Sequence, residues 1–389
     1  TTTFPALAFN INRPGEKSHK YQGKALAPVI PSFQLAQVWD KWSLQAGFAL
    51  TGGGGKCKFD EGLGSFETPF SLIPYMVNAA NPANTPISYS LDAYMKGRQY
   101  YFGLQVGAGY KISNNISAYL GLRAVYATCN YQGYVKNFQL CTPNGEKLPD
   151  PVAAPIMNAA MPGVEDPTIT LNTDQHDLGW TPILGIDWKI NKYLNIAAKY
   201  EFQTRMSLKN KTNEMSDYAK NVETLDQFND EKTKSVREDI PAILTVGAQF
   251  TPISSVRIMA GYHFYFDRQA KKYNDKQDAI EKGTMEFSAG AEWDIIKPLT
   301  VSAGWQATRY RLGDSYMSDL SFNTSSNMLC VGLRIHATKR CSFDVGYMHS
   351  FYESRDVTTS SNVMGMSIDK KDHYIRSNRV FSAGVNINL

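Results

Sequence analysis

The side chains able to do chemistry in this chain are mostly charged residues on alternating positions. Arg123, Lys199, Arg205, Arg257 and Arg334 each stand in a segment where about every second residue is apolar, and each falls on the polar side of the alternation. Glu201, Asp267, Glu286, Glu292 and Asp344 occupy the same side. A guanidinium holds a carboxylate through parallel hydrogen bonds, so this set could bind an anionic ligand or pair with its own acids. His263 and His336 read as members of that network, not as catalysts. Catalysis lacks a constellation, because no GxSxG accompanies the serines. Cys57, Cys129, Cys141, Cys330 and Cys341 have neither CxxC spacing nor a histidine at metal-ligand spacing. The expectation is a non-enzyme with no metal and no cofactor. Its thiols should be free, with a Cys129–Cys141 bridge as the alternative. The run TGGGGKCKF lacks the GK[ST] and the helix that a phosphate loop needs, and reads as a flexible strand exit.

The elements that carry these charges are strands. In PAILTVGAQF, Ala242, Leu244, Val246, Ala248 and Phe250 face one way and Ile243, Thr245, Gly247 and Gln249 the other. VRIMAGYHFYFD, MEFSAGAEW and LTVSAGWQA repeat this period of two, which is that of a strand. One face is too polar for a sandwich core and the other too apolar for water. Both are explained if the apolar face meets lipid and the polar face lines a lumen.

Further candidates run over Thr3–Asn12, Ala27–Val38, Lys41–Leu50, Tyr100–Tyr110, Ile116–Cys129, Asp177–Lys189, Tyr193–Leu208, Asn327–His336, Cys341–Tyr352 and His373–Leu389. Short links, WD, KISNN, INK, TPIS, IIKP and ATKR, alternate with long ones. That sorting predicts an all-β fold, a fourteen-stranded antiparallel transmembrane β-barrel with short periplasmic turns and long extracellular loops. Residues 1–389 then form one barrel in a bacterial outer membrane. No run approaches the roughly 18 apolar residues of a helical span, and a net charge of +4 is too weak to argue for nucleic acid. Three long insertions are expected at 51–97, 131–176 and 209–238, the last with a helical turn or two around Met215–Phe228. In the first, Phe66, Phe70, Leu72, Ile73, Tyr75, Met76 and Val77 could form short helices with an exposed apolar face, or pack on a neighbouring loop.

The arrangement resembles the outer-membrane long-chain fatty-acid and aromatic-hydrocarbon transporter (FadL) family. The resemblance lies in GWTPILGIDWKINKYLNIAAKYEFQTRMSLKNKT, DIPAILTVGAQFTPISSVRIMAGYHFYFD, the SFQLAQVWDKWSLQAGFAL hairpin and the GGGGKCKFDEG exit. It implies a lumen closed by an N-terminal plug, an outer apolar groove to which residues 66–80 would belong, an inner pocket, and a sideways exit at a kinked strand. Nothing in residues 1–25 resembles the family's plug, so the plug is expected to be missing from this chain or the lumen to be closed differently. The third strand, where the kink is expected, offers Gly47 and no proline, and Pro182 is a second candidate. The implied function is passive transport of hydrophobic molecules such as fatty acids by a monomer, in contact with membrane lipid and with lipopolysaccharide at the outer leaflet. A hydrophilic porin and a structural or secretion-associated barrel that binds a partner protein are the alternatives.

Overall fold

The computed structural model describes residues 1–363 and 366–389; the tip at 364–365 of the last expected loop lies outside the described residues. The chain is dominated by one antiparallel sheet. Its wall strands in order are β1 (Phe33–Val38), β2 (Trp42–Phe59), β3 (Ser88–Lys111), β4 (Ile116–Cys141), β5 (Ile169–Lys189), β6 (Leu194–Glu201), β7 (Ile243–Ile253), β8 (Val256–Tyr265), β9 (Ile280–Ile296), β10 (Leu299–Leu312), β11 (Ser326–His336), β12 (Cys341–Tyr352) and β13 (Ser377–Ile387). Each pairs with the next, and Gly23–Leu26 shares the first rank with β1, both lying along β2. Beyond Glu201 the sixth rank resumes as Ser207–Met215.

Alternation becomes sidedness in these strands. Leu120, Leu122 and Tyr126 on β4, Leu178, Trp180 and Leu184 on β5, Phe250 on β7, Ile258 on β8, and Phe287 and Trp293 on β9 are all exposed. So wide an exposed apolar band is costly in water and natural in hydrocarbon. Small residues let the inner face close up. At Gly107 and Gly121, an added Cβ would run into the Tyr119 ring, which lies across both inside the wall.

The wall is uneven in height. Strands β3, β4 and β5 are 24, 26 and 21 residues long, while β7, β8, β11 and β12 have 10 to 12. About ten tilted residues cross a bilayer, so β3–β5 continue past it on the long-loop side. The expected insertions at 51–97 and 131–176 are therefore strand over much of their length. Between them sit helices α1 (Gly64–Ala80) and α2 (Asp150–Ala160).

A closed barrel of fourteen strands is not what the pairing forms. The ladder runs through thirteen ranks and leaves β1 and β13 as free edges. The expected strand Thr3–Asn12 does not join the ladder. Pro5, with no N–H to give a ladder, starts a 3-10 turn over Pro5–Phe9, and Phe4, Ala6 and Leu7 are buried inside instead. Thr2–Thr3 pairs with Met366–Tyr374, one arm of a hairpin whose other arm is Arg355–Val363, above the end of β12. The five cysteines are free, so no Cys129–Cys141 bridge forms.

Candidate functional site

Residues 64–80 form one continuous helix despite Pro69 and Pro74. Phe70 and Ile73 are buried, and Phe66, Leu72, Tyr75, Met76 and Val77 are half-buried, so of the two arrangements expected for this apolar face it is packed against neighbours and not exposed. Phe66 and Phe70 pack with Tyr89, Leu91, Val135 and Phe138 from β3 and β4. Leu72 and Tyr75 pack with Phe4, Ala6, Leu7 and Ile368. The N-terminal segment is thus a strap across the helix.

A polar latch holds the strap. Glu67, 2% exposed, accepts from Asn10 Nδ2 at 2.7 Å and from Tyr89 Oη at 2.7 Å, and also from Arg13 and Tyr21. Burial pushes the Glu67 carboxyl up, but the Arg13 charge and the Tyr21, Arg13 and Tyr89 hydrogen bonds outweigh it and leave it below the usual carboxylate range. Alternation could not find this site, because Asn10 lies inside the expected strand Thr3–Asn12 and Arg13 and Tyr21 lie beyond it, outside every expected strand.

The candidate lumen charges are mostly engaged with one another. Arg123 Nη1 donates to Glu201 Oε2 at 2.6 Å, with Gln105 Oε1 accepting from Arg123 Nη2 at 2.7 Å, and Lys199 Nζ lies 2.6 Å from Glu201 Oε1. Arg257 reaches Glu292 at 2.8 Å and Asp294 at 2.7 Å. Arg334 meets Asp344 at 2.7 Å. Glu286 takes His263, Tyr265 and Thr308 at 3.0, 2.8 and 2.9 Å. Asp267 accepts from the Thr284 backbone N–H at 2.7 Å, and His336 Nε2 lies 3.3 Å from Thr300 Oγ1.

Arg205 is the exception and does not face the lumen. It is exposed and outside the ion pairs among the described residues, while Thr204 and Met206 are buried. After Glu201 the strand breaks, and eight residues of the sixth rank span seven of β5 between Ile183↔Glu201 and His176↔Lys209. That one extra residue reverses the facing, as a bulge does.

Two cavities lie along the inner face. One of about 260 Å³ is bordered by Met259, Gly261, Ser288, Gly290, Gln306, Met328 and Cys330 among others, a mostly small and apolar surface. The other, about 210 Å³, lies nearer the long loops between Asp267, Lys272, Thr284, Tyr310, Leu312 and Tyr316. Neither was legible as a site, since its residues are scattered over β8–β11 and the loop after β8.

The wall is interrupted in the second rank. Pairing of β2 with β3 shifts between Leu50 and Gly52 and again between Gly52 and Gly55, with Gly53 at φ 88° and Gly55 at φ 77°. Only glycine takes such φ values cheaply. Opposite this point, residues 27–32 lie outside the named strands, between Gly23–Leu26 and β1, and carry Pro28 and Pro31. The glycine run is therefore a distortion inside the strand, not the expected strand exit, and it lies above Gly47.

No family model and no curated protein matches the sequence. Solved structures do match. A Pseudomonas aeruginosa FadL homologue superposes with a TM-score of 0.60 at 12% identity, over 92% of this chain and 78% of that one. The Ralstonia pickettii toluene transporter TbuX gives 0.53 at 13% identity, over 92% and 80%. The Pseudomonas putida toluene transporter TodX gives 0.51 at 10% identity, over 92% and 82%.

Proposed function

We propose that this chain, which has the fold of the FadL-like outer-membrane transporters, carries hydrophobic molecules passively across a bacterial outer membrane. The observation that carries the reading is the interruption of the wall at Thr51–Gly55 opposite residues 27–32. A polar solute gains nothing from a sideways exit into lipid. An apolar one gains roughly 25 cal/mol per Å² of surface kept from water at each step.

The route begins at α1, where Leu72 and Tyr75 already hold Phe4 and Leu7 and so accept apolar side chains. It continues through the two inner cavities to the glycine distortion. The paired cations act as scaffold in this reading. A hydrophilic porin would present free charge at a constriction, whereas Arg257 and Arg334 are paired with carboxylates of their own and Arg123 and Lys199 are both tied to Glu201.

The membrane form we propose is a single barrel of fourteen strands, with the strap of residues 4–13 serving as an outer cover. Strands β1 and β13 run in the same direction, being an even number of antiparallel ranks apart. One further strand running the opposite way between them closes the ladder with antiparallel pairing throughout. Reconstitution in vesicles tests the transport: uptake of a fatty acid should exceed that of a sugar of similar mass, and the reverse order would overturn the assignment.

A further inference from the structure

We infer that the outer surface of the tall wall, above the apolar band, is a binding surface for the phosphate groups of a glycolipid in the outer leaflet. The inference rests on the membrane placement proposed above and extends it to a partner.

The placement follows from register. On β3 and β4 the continuous outward apolar and aromatic band ends at Phe102, Tyr100 and Tyr126, and only the stacked pair Tyr94 and Tyr134, under Lys58 and Lys136, stands higher on this face. The next rows up are basic. Lys56 stands opposite Arg98, and along the same row Asn130 and Asp174 lead to Lys211. One row higher, Lys24, Lys58 and Lys96 lie side by side on three adjacent ranks. Strands are about 4.8 Å apart, and like charges directly opposite one another destabilise a sheet. The acids on these rows are Glu214, exposed beside Asn172 at the far end of the upper row, and three that are already engaged. Asp60 takes Lys58 at 2.5 Å, and Asp174 is occupied by the amides of Asn130 and Asn213 at 2.9 and 2.7 Å. Asp92 accepts from Asn137. Lys24, Lys56, Lys96, Arg98 and Lys211 have no ion pair among the described residues.

A row of mutually repelling cations becomes favourable when an external polyanion bridges them. Phosphates fixed at the rim of the outer leaflet meet this height, one or two residue pairs above the girdle, while their acyl chains lie along the exposed band below. Free phosphate shares the chemistry but not the second contact.

The test uses the full chain in phosphatidylcholine vesicles doped with lipid A bearing two phosphates, reading bound lipid by native mass spectrometry. Each cation near a charged membrane contributes about 1 kcal/mol, or about fivefold in affinity. The triple variant Lys56→Gln, Lys96→Gln, Arg98→Gln should therefore lose roughly a hundredfold. Removal of Lys111 and Lys189 at the short-turn rim should leave binding unchanged. Dephosphorylated lipid A should bind weakly, and inorganic phosphate should fail to displace the lipid. Equal binding by the triple variant, equal binding of the dephosphorylated lipid, or full displacement by inorganic phosphate would each overturn the surface while leaving transport untouched. Failure of the chain to insert into vesicles would remove the membrane reading and this surface together.

Discussion

Arg123 Nη1 and Lys199 Nζ each stand 2.6 Å from a different oxygen of Glu201, so one carboxylate bridges two cations from β4 and β6. The Glu201 side chain is 8% exposed, and those of Arg123 and Lys199 are 17% and 44%. Breaking a fully buried pair costs about 3–5 kcal/mol. Because both cations keep water access, Glu201→Gln should cost less, about 2 kcal/mol. Unfolding in detergent micelles measures this. A scaffold role also requires fatty-acid uptake per folded molecule to stay unchanged; an altered ligand preference with stability intact would move the cluster into the binding site.

The distortion in β2 makes a separable prediction. An added Cβ at Gly53 would meet the backbone carbonyl of Gln99, and the φ of 88° disfavours any side chain. Gly53→Ala should cost about 1–2 kcal/mol and re-form a more regular ladder beside residues 27–32. Fatty-acid flux through vesicles should then fall, with ligand still bound when flux is blocked. Undiminished flux in a folded variant would show that the exit lies elsewhere.

Why this distortion escaped the sequence while the wall did not is a matter of contrast. Alternation is legible only where the two faces differ, as in Val256–Tyr265 or Leu299–Ala307, with lipid on one side and lumen on the other. Above the band, Lys96, Arg98, Gln132 and Asn172 face water, and the outward residues no longer differ in polarity from many inward ones. Those stretches of β3, β4 and β5 therefore read as loops. The site suffered in the same way. A period of two extended through a bulge that adds one residue puts Arg205 on the inner face, the wrong one. The seven apolar residues of α1 were found by composition, but their partners Phe4 and Leu7 had been assigned to a wall strand that Pro5 prevents.

The strap latch should be resistant to acid. Glu67 has a folded value below the usual 4.5, so its bonds contribute stability that is complete above that value and is lost only as pH falls through the lower, folded one. A spin label on Ala8→Cys in a background lacking the five native cysteines reports the strap. Its mobility should stay constant as the pH falls through 4.5 and rise only below. Glu67→Gln should free it at neutral pH, since Arg13 would keep its charge with no carboxylate beside it. A strap equally immobile in that variant would assign its anchoring to Phe4 and Leu7 alone.

The free edges give the last prediction. Phe33 and Leu35 on β1 and Phe381, Val385 and Ile387 on β13 all point outward and are exposed. If one strand lies between the edges, two rank spacings separate them, about 10 Å. Direct pairing would bring them to about 5 Å and would have to be parallel, because β1 and β13 run the same way. Cysteines placed at Leu35 and then at successive outward positions of β13, in the protein in membranes, distinguish the two. A disulfide needs Cβ atoms about 4 Å apart, so oxidation should link no pair in the series, while spin labels at the same positions should reach a minimum separation of about 10 Å. A disulfide at any position would mean that β1 and β13 meet directly, and the fourteen-strand form would fall.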